Sequence, residues 1–294
     1  MSISMAGFTM NDAVAKLASQ SMNMGQVMLV RGIFATVLVA LLAWYQGALR
    51  KPGSALHPMV ALRVFGEASA TVTFLIALSH LPIATISAVL QALPLAVTMG
   101  AALVFGEAVG WRRWLAICAG FAGVLIIVRP GFEGFNSFAL LALLCVVFCT
   151  VRDLATKQVP DHIPSLLVST ATAFAVMLCG AALTPVMGGW TPMSIELVLI
   201  LVAGAALLII GYQFIIMAMR QGEISFIAPF RYTALLWAIL LGFVIFGDVP
   251  DLPMIVGAVI VIGSGLYTLY REQIASRRKP AAASTSPAMA PDGL

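Results

Sequence analysis

The sequence predicts an all-α integral membrane protein of ten transmembrane helices, arranged as two inverted five-helix repeats. Three observations carry this: an apolar composition beyond the needs of a soluble core, a series of bilayer-length apolar segments, and short patterns that recur at one fixed interval. Of the 294 residues, 61% are hydrophobic and 10% charged, with a mean hydropathy of +1.04. Such a chain has too little polar surface to dissolve as a globule.

A hydrocarbon core about 30 Å thick needs roughly 20 apolar residues per helix. The first expected span, residues 2–19, is short and carries Asn11, Asp12 and Lys16; with no basic segment ahead of it, it reads as a span rather than a signal peptide. Residues 26–46 form a second, longer apolar run, and 59–80 a third that contains Arg63 and Glu67. The fourth, 82–104, has Pro94 in its middle, and the fifth, 111–129, is rich in small residues. The sixth to eighth are expected over 137–157, 164–186 and 194–218. The ninth, 222–246, carries Pro229, and the tenth, 253–271, again has a glycine-rich pattern.

Placing the N-terminus in the cytoplasm puts Arg50, Lys51, Arg112, Arg113, Lys157, Arg220, Arg271, Arg277, Arg278 and Lys279 on the inner side, against Arg129 outside. That asymmetry follows the positive-inside rule, so a bacterial inner (cytoplasmic) membrane with both termini cytoplasmic is expected. The net charge of +4 then reflects topology, and no nucleic-acid partner is implied. Residues 276–294 are rich in Pro, Ala and Ser and are expected to form a disordered cytoplasmic tail whose basic start meets lipid headgroups.

Asp153 lies 141 positions after Asp12, and Lys157 the same distance after Lys16. The same shift carries Phe105-Gly106-Glu107 onto Phe246-Gly247-Asp248, Ala77 onto Ala218, Ile83 onto Ile224 and Ile86 onto Ile227. Two units are therefore expected, residues 1–130 and 131–275. An odd number of spans per unit makes the second enter the membrane from the opposite side, which is the inverted-repeat plan of secondary transporters. Shifted back by that interval, the start of the sixth span falls before Met1, so a few further residues ahead of Met1 are expected.

The segments "PIATISAVLQALPLAVTMGAALVFGEAVGWRRWLAICAGFAGVLIIV" and "EISFIAPFRYTALLWAILLGFVIFGDVPDLPMIVGAVIVIGSGLYTLY" resemble the EamA repeat of the drug/metabolite transporter superfamily. The shared features are a mid-helix proline, an F-G-E turn and a glycine-rich closing helix. The second copy has Asp248 for the acid and Leu235 where the proline would stand, with Pro229 six residues earlier. The resemblance implies alternating-access transport of a small organic metabolite, with riboflavin importers, S-adenosylmethionine carriers and amino-acid exporters among similar proteins.

A charge at bilayer depth costs at least ~2.5 kcal/mol on insertion scales, so each intramembrane charge needs a partner or a wet cavity. Asp12 with Lys16, and Asp153 with Lys157, are four apart in the favourable acid-first order and are expected to neutralise each other or to meet substrate. Arg63 and Glu67 repeat the spacing in reverse, as a salt bridge, a gate or a carboxylate clamp. Pro94 and Pro229 mark the fourth and ninth helices as the pocket, because a proline inside a span frees backbone carbonyls. Around them Gln91, Tyr212, Gln213, Phe230, Arg231, Tyr232 and Trp237 are the candidate substrate-binding residues. Rings beside a cation suit a planar molecule, and riboflavin uptake is the specific expectation, with S-adenosylmethionine or an amino acid as the alternative.

The cysteines Cys118, Cys145, Cys149 and Cys179 lie inside apolar runs, and the sequence holds no phosphate loop or zinc-protease motif. No metal, cofactor or enzymatic activity is expected. Ala116 with Gly120, and Ala119 with Gly123, permit close helix contact, and a homodimer is one arrangement they allow.

Overall fold

A computed structural model describes residues 1–50, 52–107, 109–130, 136–160, 162–221 and 228–275. The expected tail, 276–294, and the start of the expected ninth span, 222–227, lie outside these residues. The described chain is all-helical. Its helices are α1 (Ser2–Ala18), α2 (Met24–Tyr45), α3 (Pro58–His80), α4 (Ile83–Leu90), α5 (Leu93–Phe105), α6 (Trp111–Val128), α7 (Phe138–Lys157), α8 (Ser165–Val186), α9 (Ile195–Gln221), α10 (Thr233–Phe246) and α11 (Leu252–Ala275). Eight segments are long and apolar enough to cross a membrane. α1 and α9 accompany them, and α1 packs along both α9 and α10.

Local chemistry sets the ends. Asn23 caps α2 by accepting the Gln26 N–H at 2.8 Å, and His57 caps α3 through Met59. Proline stands in the first turn of α3 and of α5, where its missing N–H costs nothing. Asp251 starts α11 by accepting the Met254 N–H at 3.0 Å, and it also pairs with Arg129 at the end of α6. Partial burial opposes ionisation of Asp251. The Arg129 and Met254 contacts outweigh that and hold its carboxyl below the ordinary range.

The expected fourth span is not one helix. α4 stops at Leu90, the chain turns at Gln91 and Ala92, and α5 resumes at Leu93, so the break precedes Pro94 rather than falling on it. Its counterpart is the 3-10 turn Ala228–Tyr232, containing Pro229, which leads into α10.

The main helix pairs are α2 with α8, α3 with α7, α6 with α11, and α1 with α9. Apolar tails of lipid do not drive helices together, so close backbone approach through small residues has to. Between α2 and α8, a Cβ on Gly180 would meet Leu29 N at 2.5 Å, and one on Gly25 would meet Thr184 N at 2.6 Å. Gly123 of α6 sits in the same way on Gly257 of α11, and Gly120 lies under Leu95 and Ser264. The small-residue face of α6 is thus used within the chain.

Gly180→Val should therefore cost about 1–3 kcal/mol by overpacking, read as a lowered Tm in detergent, whereas Gly53→Ala, with open space around it, should leave Tm unchanged.

Candidate functional site

Packing α7 against α3 brings Arg152 beside Glu67, because Gly66 has no side chain to hold the helices apart: a Cβ there would lie 3.0 Å from Arg152 N. Arg152 is 2% exposed, too deep for water to solvate its charge. Its Nη1 donates to Glu67 Oε2 at 3.0 Å, and its Nε donates to Asp153 Oδ1 at 2.8 Å. One guanidinium thus joins two carboxylates from two helices. Arg63, one turn before Glu67, is buried and donates through Nη1 to Thr172 Oγ1 of α8 at 2.7 Å. Arg231, from the 3-10 turn before α10, is also buried and faces Asp153 electrostatically. The second carboxylate oxygen, Asp153 Oδ2, is buried and has no hydrogen-bond partner among the described residues.

The two helix interruptions meet beside this cluster. Gln91 Nε2 donates to the backbone carbonyl of Tyr232 at 3.4 Å. The break between α4 and α5 is therefore tied to the turn before α10.

The in-helix pairing expected from spacing is replaced by pairing across helices. Lys16 reaches away from Asp12 to donate to the Leu81 carbonyl at 2.7 Å and to pair with Asp248 at 3.5 Å. Lys157 pairs with Glu107 and Glu67 with Arg152, both across helices; Asp153 is the exception, its partner being the adjacent Arg152 of the same helix. The reason is position. Each lysine ends its helix, where a long flexible stem reaches a neighbouring helix end as readily as its own preceding turn. Asp12 instead has Arg31 as its facing cation, and Arg31 Nη2 donates to Asn11 Oδ1 at 3.1 Å.

The aromatic candidates do not form one wall. Tyr232 is buried against Leu269, with its hydroxyl packed onto Gly265 of α11. Trp237 packs with Met5, Phe8 and Ile215, between α1, α9 and α10. Phe230 is 41% exposed. The side chains of Tyr212 and Gln213 lie outside the described residues. What the structure brings together is Glu67, Asp153 and Arg231 around Arg152, with Gln91 holding Tyr232 nearby. Reasoning from sequence passed over Arg152 as a site residue; its place next to Asp153 in an apolar run was the available signal. Among the described residues no group of His, Cys, Asp and Glu could hold a metal.

Comparisons with known proteins give the cluster a context. The EamA-like transporter family model matches residues 1–129. The chain is 30% identical to a riboflavin transporter of Rhizobium johnstonii over 69% of this chain and 67% of that one. The chain belongs to the EamA-like transporter family. This EamA-like transporter is also 27% identical to an S-adenosylmethionine uptake transporter of Rickettsia prowazekii, over 92% of its own length and 91% of the relative's. A solved crystal structure shares its fold with a TM-score of 0.55 at 18% identity, covering 94% of this chain and 99% of that one. It is thus a multi-pass membrane protein of the drug/metabolite transporter superfamily.

Removing one member of a buried ionic group strands the others. Arg152→Met should cost roughly 3–5 kcal/mol by leaving Glu67 and Asp153 uncompensated. Adding Glu67→Gln and Asp153→Asn to it should recover most of the lost Tm, measured on purified protein in detergent.

Proposed function

We propose that this transporter takes up an amino-acid-headed metabolite, S-adenosylmethionine by preference, by alternating access between two inverted repeats at residues 1–130 and 131–275 in the bacterial cytoplasmic membrane. The carrying observation is the buried cluster in which Arg152 and Arg231 stand with Glu67 and Asp153, one turn from the buried Arg63, and in which Asp153 Oδ2 has no hydrogen-bond partner among the described residues. An α-amino group donates to that oxygen, and an α-carboxylate is held by a guanidinium, the group best shaped to take it in two parallel hydrogen bonds. A site holding both an acid and a base suits a zwitterionic head better than a lone cation or a neutral ring. The relative matched over nine-tenths of the chain is named for uptake of a molecule with such a head.

The repeat reading has support in how the helices pair. Under the 141-residue shift, α1–α9 and α3–α7 exchange places, while α2–α8 and α6–α11 map onto themselves. Gln91 and Tyr232, which touch, are themselves equivalent positions. That is how two halves related by an axis in the membrane plane would contact each other. The excess of basic residues expected on one side supports an orientation with both termini in the cytoplasm.

Riboflavin uptake is the second reading, favoured by the 30% identical relative. The three rings that would stack on an isoalloxazine have different neighbours here, which weakens it.

Labelled S-adenosylmethionine supplied to a bacterial host with no uptake of its own should accumulate saturably on expression of this chain, with unlabelled compound competing and riboflavin not. Asp153→Asn should lower uptake about tenfold or more at equal membrane abundance, since a hydrogen bond to a charged group contributes about 1.5–3 kcal/mol. Accumulation of riboflavin with none of S-adenosylmethionine would replace the first reading with the second.

A further inference from the structure

The two F-G-acid turns, which carry no role in the site above, have the same partners at opposite ends of the molecule. α5 ends at Phe105, Gly106 takes φ +65°, and Glu107 follows; α10 ends at Phe246, Gly247 takes φ +69°, and Asp248 follows. The left-handed glycine lets the chain double back, so that Glu107 N bonds Ala101 O at 3.4 Å and Asp248 N bonds Gly242 O at 2.9 Å. Each acid is thereby presented at its helix end beside a phenyl ring. Lys16 pairs with Asp248 at 3.5 Å and lies 4.8 Å from the centre of the Phe246 ring. Lys157 pairs with Glu107 and lies 5.3 Å from the centre of the Phe105 ring. Every member of one set maps onto the other by the 141-residue shift, yet each bond joins a lysine of one half to an acid of the other.

The sets stand at opposite ends of α3. Lys16 bonds Leu81, just past its C-terminal residue. Lys157 lies at the end of α7, which packs Arg152 against Gly66 and runs on toward the N-terminal end of α3. α3 has 23 residues and so spans roughly 35 Å. The enclosure also differs: the Lys16 side chain is 13% exposed and that of Lys157 46%.

We propose that Lys16–Asp248 and Lys157–Glu107 are reciprocal latches that close the two ends of the transport path, and that transport breaks them in turn. The cation–π contact adds to the ion pair where water is scarce. Since both bonds cross between halves, rocking one half against the other stretches one latch while relieving its counterpart. Glu107 and Asp248 are positioning residues, acting on access and not touching substrate. The inference rests on the transporter reading and is independent of which molecule is carried.

The test introduces Gln91→Cys, between the two helix interruptions, into a background with the four native cysteines changed to serine, and reads labelling by a membrane-impermeant maleimide from each side of oriented vesicles. Lys16→Gln should raise labelling several-fold from one side only, and Lys157→Gln from the other side only. The exchanges Lys16→Asp with Asp248→Lys, and Lys157→Glu with Glu107→Lys, should return labelling to the parental level. Labelling unchanged by both substitutions, raised equally from both sides, or not restored by either exchange would overturn the latches. Side-selective labelling of the Gln91→Cys protein, with no S-adenosylmethionine accumulated by the chain without that substitution, would keep the latches and reject the substrate.

Discussion

Arg152 is a permanent charge enclosed by protein, and the arrangement around it answers a single constraint: inside a membrane, a charge or a free backbone group must find its partner within the chain. Glu67 and Asp153 supply that partner from two sides. The contact requires α7 to lie hard against α3, which Gly66 permits. It also fixes the rotation of α7, and so sends Lys157 toward the end of α5. Between α1 and α9 the close approach is made by glycine. There Gly7 meets Gly211 and Gly204 meets Val14. The α3–α7 interface is thus held by ions, and the α1–α9 interface by close backbone approach and the bond from Ser4 Oγ to the Gly211 carbonyl at 2.7 Å.

The same constraint governs the interrupted helices. Breaking a span exposes donors and acceptors that lipid cannot satisfy, so both breaks are turned inward and toward each other. Gln91 bridges to the Tyr232 carbonyl, and Thr233 Oγ1 donates to the Phe230 carbonyl at 2.6 Å. The breaks lie beside the ionic cluster, as expected for a fold that builds its binding region from discontinuous helices.

Stability and movement are divided between different contacts. Backbone-to-backbone packing at Gly25, Gly180, Gly123 and Gly257 leaves no room for a side chain between the helices. The lysine–acid contacts at the helix ends are different, because each lysine is long and each pair is at least partly exposed, and separating them costs little where water can enter.

The membrane class and most span positions were legible along the chain, because apolar length and proline position are properties of neighbouring residues. The sequence also picked out Glu67, Asp153 and Arg231 as residues that had to be accounted for, since any charge in an apolar run must be. Their cross-helix partners came from the packing of helices distant in sequence. Four-residue spacing allows Asp12 to meet Lys16 and Arg63 to meet Glu67, but a neighbouring helix end competes for the same side chains, and spacing carries no information about it. The dispersal of Phe230, Tyr232 and Trp237 had the same origin. Three rings close in sequence diverge when a 3-10 turn and the first turns of a helix point them toward different neighbours, and those neighbours come from other helices, Tyr232 meeting α11 and Trp237 meeting α1 and α9.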